Sequence, residues 1–291
     1  MPTALIVLIA IALTVDLCLL VVVLVLRARG VIIYPRTKFG PALVFDSADD
    51  DGTPIRLLNV NGKFQSVCYV EPARRWDLAC IYHQYFAQIV DIQRDLFDAE
   101  DPAKDAAEKS TPSPAAARRA LVIGGGGYSF PKWLAANAAD VSTTVVEIDP
   151  KVTKIARERF FLDEALERFG GRLDLVCDDG WGFLASSDRR FDVIVNDAFG
   201  GKRPLGPLKT DEGAAAVAAH LTERGVYLAN VISPLEGPDT QVLDESVAAC
   251  KSAFAHVYLI PECPEEPTTT GDNVLVASNA KLDIAAEYAL D

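Results

Sequence analysis

The run Leu121-Val122-Ile123-Gly124-Gly125-Gly126-Gly127, with Val145-Val146-Glu147-Ile148-Asp149-Pro150 after it, decides the fold class. The first is an apolar strand entering four glycines, followed by a helical pattern around Lys132–Asn137. Glycine lets a backbone turn tightly and approach a ligand closely, although a glycine run taken alone can be only a turn. Glu147 follows about 20 residues later, at the end of the next strand, where an acid accepts hydrogen bonds from ribose hydroxyls. A helix-terminal role for Glu147 is the competing reading, but Asp149-Pro150 already suits that cap.

Outward from this unit, apolar runs predict strands at Ala120–Ile123, Thr143–Ile148, Leu173–Cys177, Asp192–Asn196, Val226–Val231, Val257–Ile260 and Val274–Ala277. Helical patterns lie between most of them, at Lys151–Phe169 and Asp211–Leu221 for instance. Strands alternating with helices imply a largely parallel, doubly wound α/β sheet, with an antiparallel hairpin at one edge around Val257 and Val274. Ligands bind such sheets at the carboxyl ends of the strands. Two more acids are expected there. Asp179, in Asp178-Asp179-Gly180, is placed to accept from an adenine amino group or to cap a helix. Asp197 ends the strand from Asp192 and faces the glycine loop, where it can bind a cation, act as a general base, or cap a glycine turn.

Upstream, Val31 to Val70 alternates apolar runs with the turn signals Asp51-Gly52 and Asn61-Gly62, which predicts a small antiparallel β unit. Leu78, Ile81, Tyr82, Tyr85, Phe86 and Ile89 recur at helical spacing within an expected helix over Trp76–Phe97. Residues 98–117 are Ala, Pro, Ser and charges and cannot bury a core. The chain thus divides into an anchor over 1–29, a small β domain plus helix over 30–97, a linker over 98–117, and a Rossmann-like nucleoside-binding catalytic domain over 118–291.

Thr3 to Leu26 is a run of Ala, Leu, Ile and Val with one charge, Asp16, and is long enough to span a hydrocarbon core of about 30 Å. No basic residue precedes it and Arg27 and Arg29 follow it, the pattern of an uncleaved single-pass membrane helix with the remainder cytoplasmic. Asp16, costly in lipid, either meets a donor on a second copy or a membrane partner, or sits protonated in an apolar helix.

Across 291 residues, 28 Lys and Arg against 41 Asp and Glu give a net charge of −13, which argues against nucleic-acid binding. A 24% charged and 8% aromatic composition excludes a disordered chain. The six cysteines include no Cys-x-x-Cys pair and the three histidines are dispersed, so no metal site is expected.

Together the acids and the glycine loop suit a class I methyltransferase-type fold that binds an adenosyl sulfonium compound. Residues 120–231 and the preceding β unit resemble the polyamine aminopropyltransferases, spermidine synthase and its relatives. The likeness rests on Gly124-Gly125-Gly126, Val146-Glu147-Ile148-Asp149-Pro150, Asp179-Gly180 and the strand ending at Asp197. Asn61-Gly62-Lys63-Phe64-Gln65 is similar to the family's Asp-Gly-x-x-Gln hairpin, and Tyr82-His83-Gln84 to its Tyr-His-Glu. The resemblance implies a homo-oligomer in which an amine attacks the carbon beside the sulfonium of decarboxylated S-adenosylmethionine and releases methylthioadenosine. On that basis Gly124, Gly125, Gly126, Glu147, Asp179 and Gly180 hold the donor. Asp197 takes the amine's proton, and Gln65, Tyr82 and His83 line the acceptor channel.

The sequence also departs from the family. Gly127 stands where the family has an Asp after its third glycine, Asp197-Ala198-Phe199-Gly200 lacks a second Asp, and Gln84 replaces a Glu. The Asp-Ala-Phe-Gly-Gly stretch, with the anchor, resembles a divergent, membrane-associated spermidine synthase-like branch. Methyl transfer from S-adenosylmethionine, or nucleoside binding without catalysis, are the alternatives.

Overall fold

A computed structural model describes residues 2–98, 118–200, 203–204 and 209–290. The expected linker over 98–117 therefore lies, apart from its first residue, outside the described residues, as does part of the stretch after Gly200. Four antiparallel strands, β1 (Ile32–Thr37), β2 (Gly40–Ala48), β3 (Pro54–Val60) and β4 (Lys63–Tyr69), form the small sheet in that order. Asn61 and Gly62 both have positive φ, 51° and 80°, so the β3–β4 connection is the two-residue turn whose twist matches its strands.

The large sheet is built from β5 (Arg118–Ile123), β6 (Val141–Val146), β7 (Leu173–Val176), β8 (Phe191–Asn196), β11 (Leu221–Ser233), β12 (His256–Ile260) and β13 (Gly271–Ser278). A two-residue pair, β9 (Phe199–Gly200) with β10 (Arg203–Pro204), follows β8. The order is β12-β13-β11-β8-β5-β6-β7, with β5 to β8 and β11 parallel and β13 antiparallel to both its neighbours. The chain winds from β5 outward to β7 and then returns to β8, so the order reverses between β5 and β8. That is the place where such sheets open a ligand crevice.

Helix α1 (Pro2–Ala28) leads into β1. Helices α2 (Ile81–Asp98), α3 (Ser129–Asn137) and α4 (Pro150–Arg159) cover one sheet face, where Phe86, Phe130, Ile155 and Val195 share a core with Val44 and Leu58 of the small sheet. Helices α6 (Gly180–Ser186), α7 (Asp211–His220) and α8 (Gln241–Ala253) cover the other through Leu184, Val217 and Cys250. Because the first core is continuous with the small sheet, the β unit is bound to the glycine-loop side of the large one.

Two helices differ from the periodicity. The helix expected from Trp76 begins at Ile81, because a 3₁₀ turn at Pro72–Arg74 occupies the approach and Trp76 packs on Phe169 at 5.6 Å between ring centroids. The helix expected over Lys151–Phe169 breaks at Phe161, φ 59°, into α4 and α5 (Leu162–Phe169). Burial of Phe160 drives the break, and the carbonyls it frees find cations: Arg56 donates to Arg159 O at 2.8 Å and Lys132 Nζ donates to Phe160 O.

Lys132 is 1% exposed, and burial lowers its ammonium to about 8. An unfolded lysine titrates near ~10.4, so between these values the unfolded chain holds a proton that the folded chain does not. Lys132 therefore adds stability as pH rises through that window. Urea denaturation in detergent at pH 7 and pH 10 is expected to shift the difference between wild type and Lys132→Met toward wild type at pH 10, on the order of 1–3 kcal/mol. A pH-independent difference would refute the assignment.

Candidate active site

Each strand of the central group ends in a residue that faces the crevice. After β5, Gly124 adopts φ +98° and its Cα lies against the peptide of Asp197, so that a Cβ there would sit 2.5 Å from the Asp197 carbonyl oxygen. Asp197 N–H in turn donates to Ile123 O at 2.9 Å. After β6, Glu147 is buried and fastens the loop: Oε2 accepts from Gly125 N–H at 2.8 Å and Gly126 N–H at 3.3 Å, and Oε1 from Asp149 N–H at 2.9 Å. Burial pushes the Glu147 carboxyl up, opposed by these three N–H bonds. Oε1 retains an acceptor position for a hydroxyl. Asp149 does cap α4, accepting from Lys151 N–H at 2.9 Å, and so leaves Glu147 to the loop.

After β7, Asp179 caps α6 through a 3.0 Å bond from Gly182 N–H and also lines the crevice. Gly180 is required beside it, since a Cβ would meet Ile123 Cγ2 at 2.3 Å.

After β8, Asp197 collects donors from two other elements. Tyr82 Oη donates to its Oδ2 at 3.2 Å, His83 Nε2 lies 3.2 Å from the same oxygen, and Asn230 Nδ2 donates to Oδ1 at 3.3 Å. An ionised carboxylate only accepts, so Nε2 of His83 donates to it, while the buried Nδ1 has no partner among the described residues. His83 is fixed by stacking on Phe130, 5.8 Å between centroids and 16° from parallel. Burial and the Asp197 charge push the Tyr82 hydroxyl well up, so it stays a donor.

The small sheet closes the site. Ser66 Oγ accepts from Gly127 N–H at 2.7 Å, and Ser129 Oγ donates to Val67 O at 2.9 Å. One cavity of about 220 Å³ results, lined among others by Gln65, His83, Gly124, Gly125, Gly126, Glu147, Asp179, Gly180 and Asp197. Tyr82 reaches it through Asp197. Gln84 does not: it is exposed and donates to Leu78 O at 3.1 Å. Sequence reasoning did not single out Ser66, Asn230 or the lining Trp181. The one available signal was Asn230, a polar residue inside the apolar strand Val226–Val231. Among the described residues no group of His, Cys, Asp and Glu is arranged to hold a metal ion.

A profile of the spermine/spermidine synthase domain matches residues 107–274. The chain belongs to the spermine/spermidine synthase family. It is 40% identical over 93 residues to polyamine aminopropyltransferase 1 of Pseudomonas aeruginosa, covering 32% of this chain and 31% of that one. It is 30% identical over 161 residues to the polyamine aminopropyltransferase of a Ruegeria species, covering 54% and 56%. The matches thus span from about a third to just over half of these curated relatives' length. Among solved structures, a probable spermidine synthase from Corynebacterium glutamicum superposes with a TM-score of 0.66 at 21% identity, over 86% of this chain and 80% of that one. A spermidine synthase in complex with the transition-state analogue AdoDATO gives 0.60 at 17%, over 86% and 72%. The family's fold, a Rossmann-like sheet beside a small antiparallel one, is the fold described above.

The contact between Gly124 and Asp197 has a measurable consequence. Gly124→Ala adds a Cβ both to a left-handed backbone and into a peptide, and is expected to cost at least about 2 kcal/mol of stability. A denaturant midpoint equal to that of wild type would show that the loop and the Asp197 strand are not in this contact.

Proposed function

We propose that the chain transfers an aminopropyl group from decarboxylated S-adenosylmethionine to an amine. The observation that carries this reading is the charge of the cavity. Glu147, Asp178, Asp179 and Asp197 line it, and no lysine or arginine does among the described residues. The glycine-loop N–H groups are already engaged, Gly125 and Gly126 by Glu147 and Gly127 by Ser66. S-adenosylmethionine brings a carboxylate that, among the described residues, would find neither a lysine or arginine nor a spare loop donor there, and burying an unpaired charge is costly. The decarboxylated compound brings only an ammonium and a sulfonium, both suited to an acidic site. Methyl transfer is the weaker reading for this reason.

In the proposed reaction Glu147 accepts from the ribose hydroxyls and Asp179 from the adenine amino group, over the apolar surface of Ile148 and Trp181. The acceptor amine is protonated at neutral pH and must lose that proton before it attacks. Asp197 takes it, held in place by Tyr82, His83 and Asn230. The amine lone pair then forms a bond to the aminopropyl carbon beside sulfur while the C–S bond breaks. Its electrons return to sulfur, leaving neutral methylthioadenosine. Gln65 and His83 line the acceptor's approach.

The acceptor itself is open to a departure from the family. The volume beside Gly127 is filled: a Cβ there would lie 2.9 Å from Ser66 Cβ and 3.0 Å from Phe160 Cδ1. An acid at this position would need Ser66 and Phe160 to move, so the aminopropyl ammonium is held without that carboxylate. Asp197→Asn is expected to lower turnover at least about 100-fold while methylthioadenosine binding is retained. Calorimetry is expected to rank methylthioadenosine above S-adenosylhomocysteine, which carries the disfavoured carboxylate. The reverse ranking, with methyl transfer from S-adenosylmethionine, would overturn the reading.

We further infer that α1 holds this domain at a membrane as a single-pass anchor, with the remainder cytoplasmic, and that the protein is a homo-oligomer. In support, Leu5, Leu8, Ile11, Leu13, Leu17, Leu20 and Leu24 are all more than half exposed on one continuous helix, which ends at Ala28 between Arg27 and Arg29. Asp16 lies among these exposed leucines, where a second copy or a membrane protein can supply it a donor. The full chain is expected to stay with membranes through alkaline carbonate washing. Asp16→Leu is expected to reduce cross-linked oligomers or co-purifying partners, and release by carbonate or unchanged cross-linking would contradict the respective claims.

A further inference from the structure

Gln65 and Ser66 are consecutive residues of β4, and both line the cavity. In a regular strand neighbouring side chains point to opposite faces, so one of the two would be turned away. The register shows why both reach the site. Leu58 of β3 opposes Ser66 while the next residue, Asn59, opposes Phe64, which leaves Gln65 as an extra residue on β4. A bulge of this kind bends the strand and re-aims its side chains. It sets the hairpin directly on the glycine loop: a Cβ on Gly126 would lie 2.6 Å from Ser66 Oγ and 3.3 Å from Gln65 O.

The Ser66 hydroxyl is fixed from two sides. It donates its proton to Gln65 O at 2.6 Å and accepts from Gly127 N–H at 2.7 Å. Gly124 N–H donates to Val146 O, and Gly125 and Gly126 N–H donate to Glu147. The Gly127 N–H is therefore the last of the four glycine donors, and Ser66 takes it. Gly127 is buried behind Ser66, which itself lines the cavity. A hydroxyl oxygen that has given its proton and accepted one hydrogen bond keeps a lone pair and no donor. Gln65 turns its amide nitrogen back to Phe64 O at 3.2 Å. A carboxylate placed against Ser66 meets a lone pair. An ammonium, with three donors and no acceptor, meets a partner.

Space and hydrogen bonding act in the same direction here, because Ser66 Cβ and Phe160 Cδ1 also fill the volume beside Gly127. We propose that Ser66 is the residue that sets donor specificity. By taking the Gly127 N–H and presenting only an acceptor, it rejects the amino-acid carboxylate of S-adenosylmethionine and admits the aminopropyl ammonium of the decarboxylated compound. The assignment rests on the aminopropyl-transfer reading, and it gives this selection to a neutral hydroxyl on the small sheet, with no acid at position 127.

The test is calorimetric, on the full chain in detergent, with S-adenosylhomocysteine and its decarboxylated form, which differ only in the carboxylate. Wild type is expected to bind the decarboxylated form at least about tenfold more tightly. Ser66→Ala opens the Gly127 N–H to the cavity and is expected to narrow that preference at least about tenfold, the worth of one hydrogen bond to a charged group. Ser66→Thr keeps the hydroxyl and is expected to keep the wild-type ratio. Ser66→Cys, close in size but a weak acceptor, is expected to narrow the ratio to a smaller degree, and it carries the test if the alanine variant does not fold. A merely structural Ser66 would weaken both ligands alike. An unchanged ratio in the alanine and cysteine variants, or an equal narrowing in Ser66→Thr, therefore overturns the assignment and leaves the aminopropyl-transfer reading standing. A wild-type protein that binds S-adenosylhomocysteine as tightly as its decarboxylated form, or binds neither, fails at the earlier step and takes both proposals with it.

Discussion

The backbone of Gly124 lies against the peptide of Asp197 so closely that no side chain fits between them. The rest of the site depends on this contact. It joins the first strand of the large sheet to the strand that reverses the winding, and so fixes where the crevice opens. The loop beyond it is held by side chains rather than by its own ladder. Glu147 takes two of its N–H groups from the neighbouring strand, and Ser66 takes a third from the small sheet. A loop of four glycines has high conformational entropy when free, so the three bonds matter more here than in a stiffer turn. The β unit thereby serves the site directly, since Ser66 and the lining Gln65 sit on the strand that follows the Asn61-Gly62 turn.

How far the sequence discloses this depends on whether the cause is local. The β5–loop–α3 and β6–Glu147 units were legible because strand, glycines and acid lie within about 30 residues of one another and each has a physical reason of its own. The Asn61-Gly62 hairpin was legible for the same reason. The break at Phe161 was not, because the pattern of α4 and α5 continues through it and the interruption comes from tertiary partners, Arg56 and Lys132, that cap the freed carbonyls. The start of α2 was misplaced for a similar reason: Leu78 and Trp76 are buried or packed as a helix would have them, but on an irregular turn. In the site, Glu147, Asp179 and Asp197 were legible as acids at strand ends and Gln65, Tyr82 and His83 through motif resemblance, whereas Ser66 and Asn230 matter only through contacts 61 and 33 residues away in sequence.

The departures from the family pattern acquire different weights once they are located. Gln84 points out of the site toward Leu78 O, so replacing an acid there changes little in the cavity. Gly127 is different, because its missing side chain has been replaced by the close packing of Ser66 and Phe160. Ser66 of the small sheet and Phe160 occupy the space that a side chain at this position would need. Glu147, Asp179, Asp197 and Asp272 spread negative charge along one edge of the sheet.

That distribution gives the acidity of the chain a specific meaning. A net charge of −13 spread over a surface says little about function, since screening over a Debye length of roughly 8–10 Å weakens exposed charges individually. Glu147 and Asp272 are not screened in this way. Burial raises both carboxyls above their ordinary range, so each is held at a cost to the empty protein. Acids retained under such a cost are found where a partner offsets it. At Glu147 the protein supplies much of that partner itself, as three backbone N–H groups. At Asp272 it supplies one amide nitrogen that is already shared with Asp197. The two acids therefore differ in kind: Glu147 is held by three backbone N–H groups, whereas Asp272 shares a single side-chain amide with Asp197.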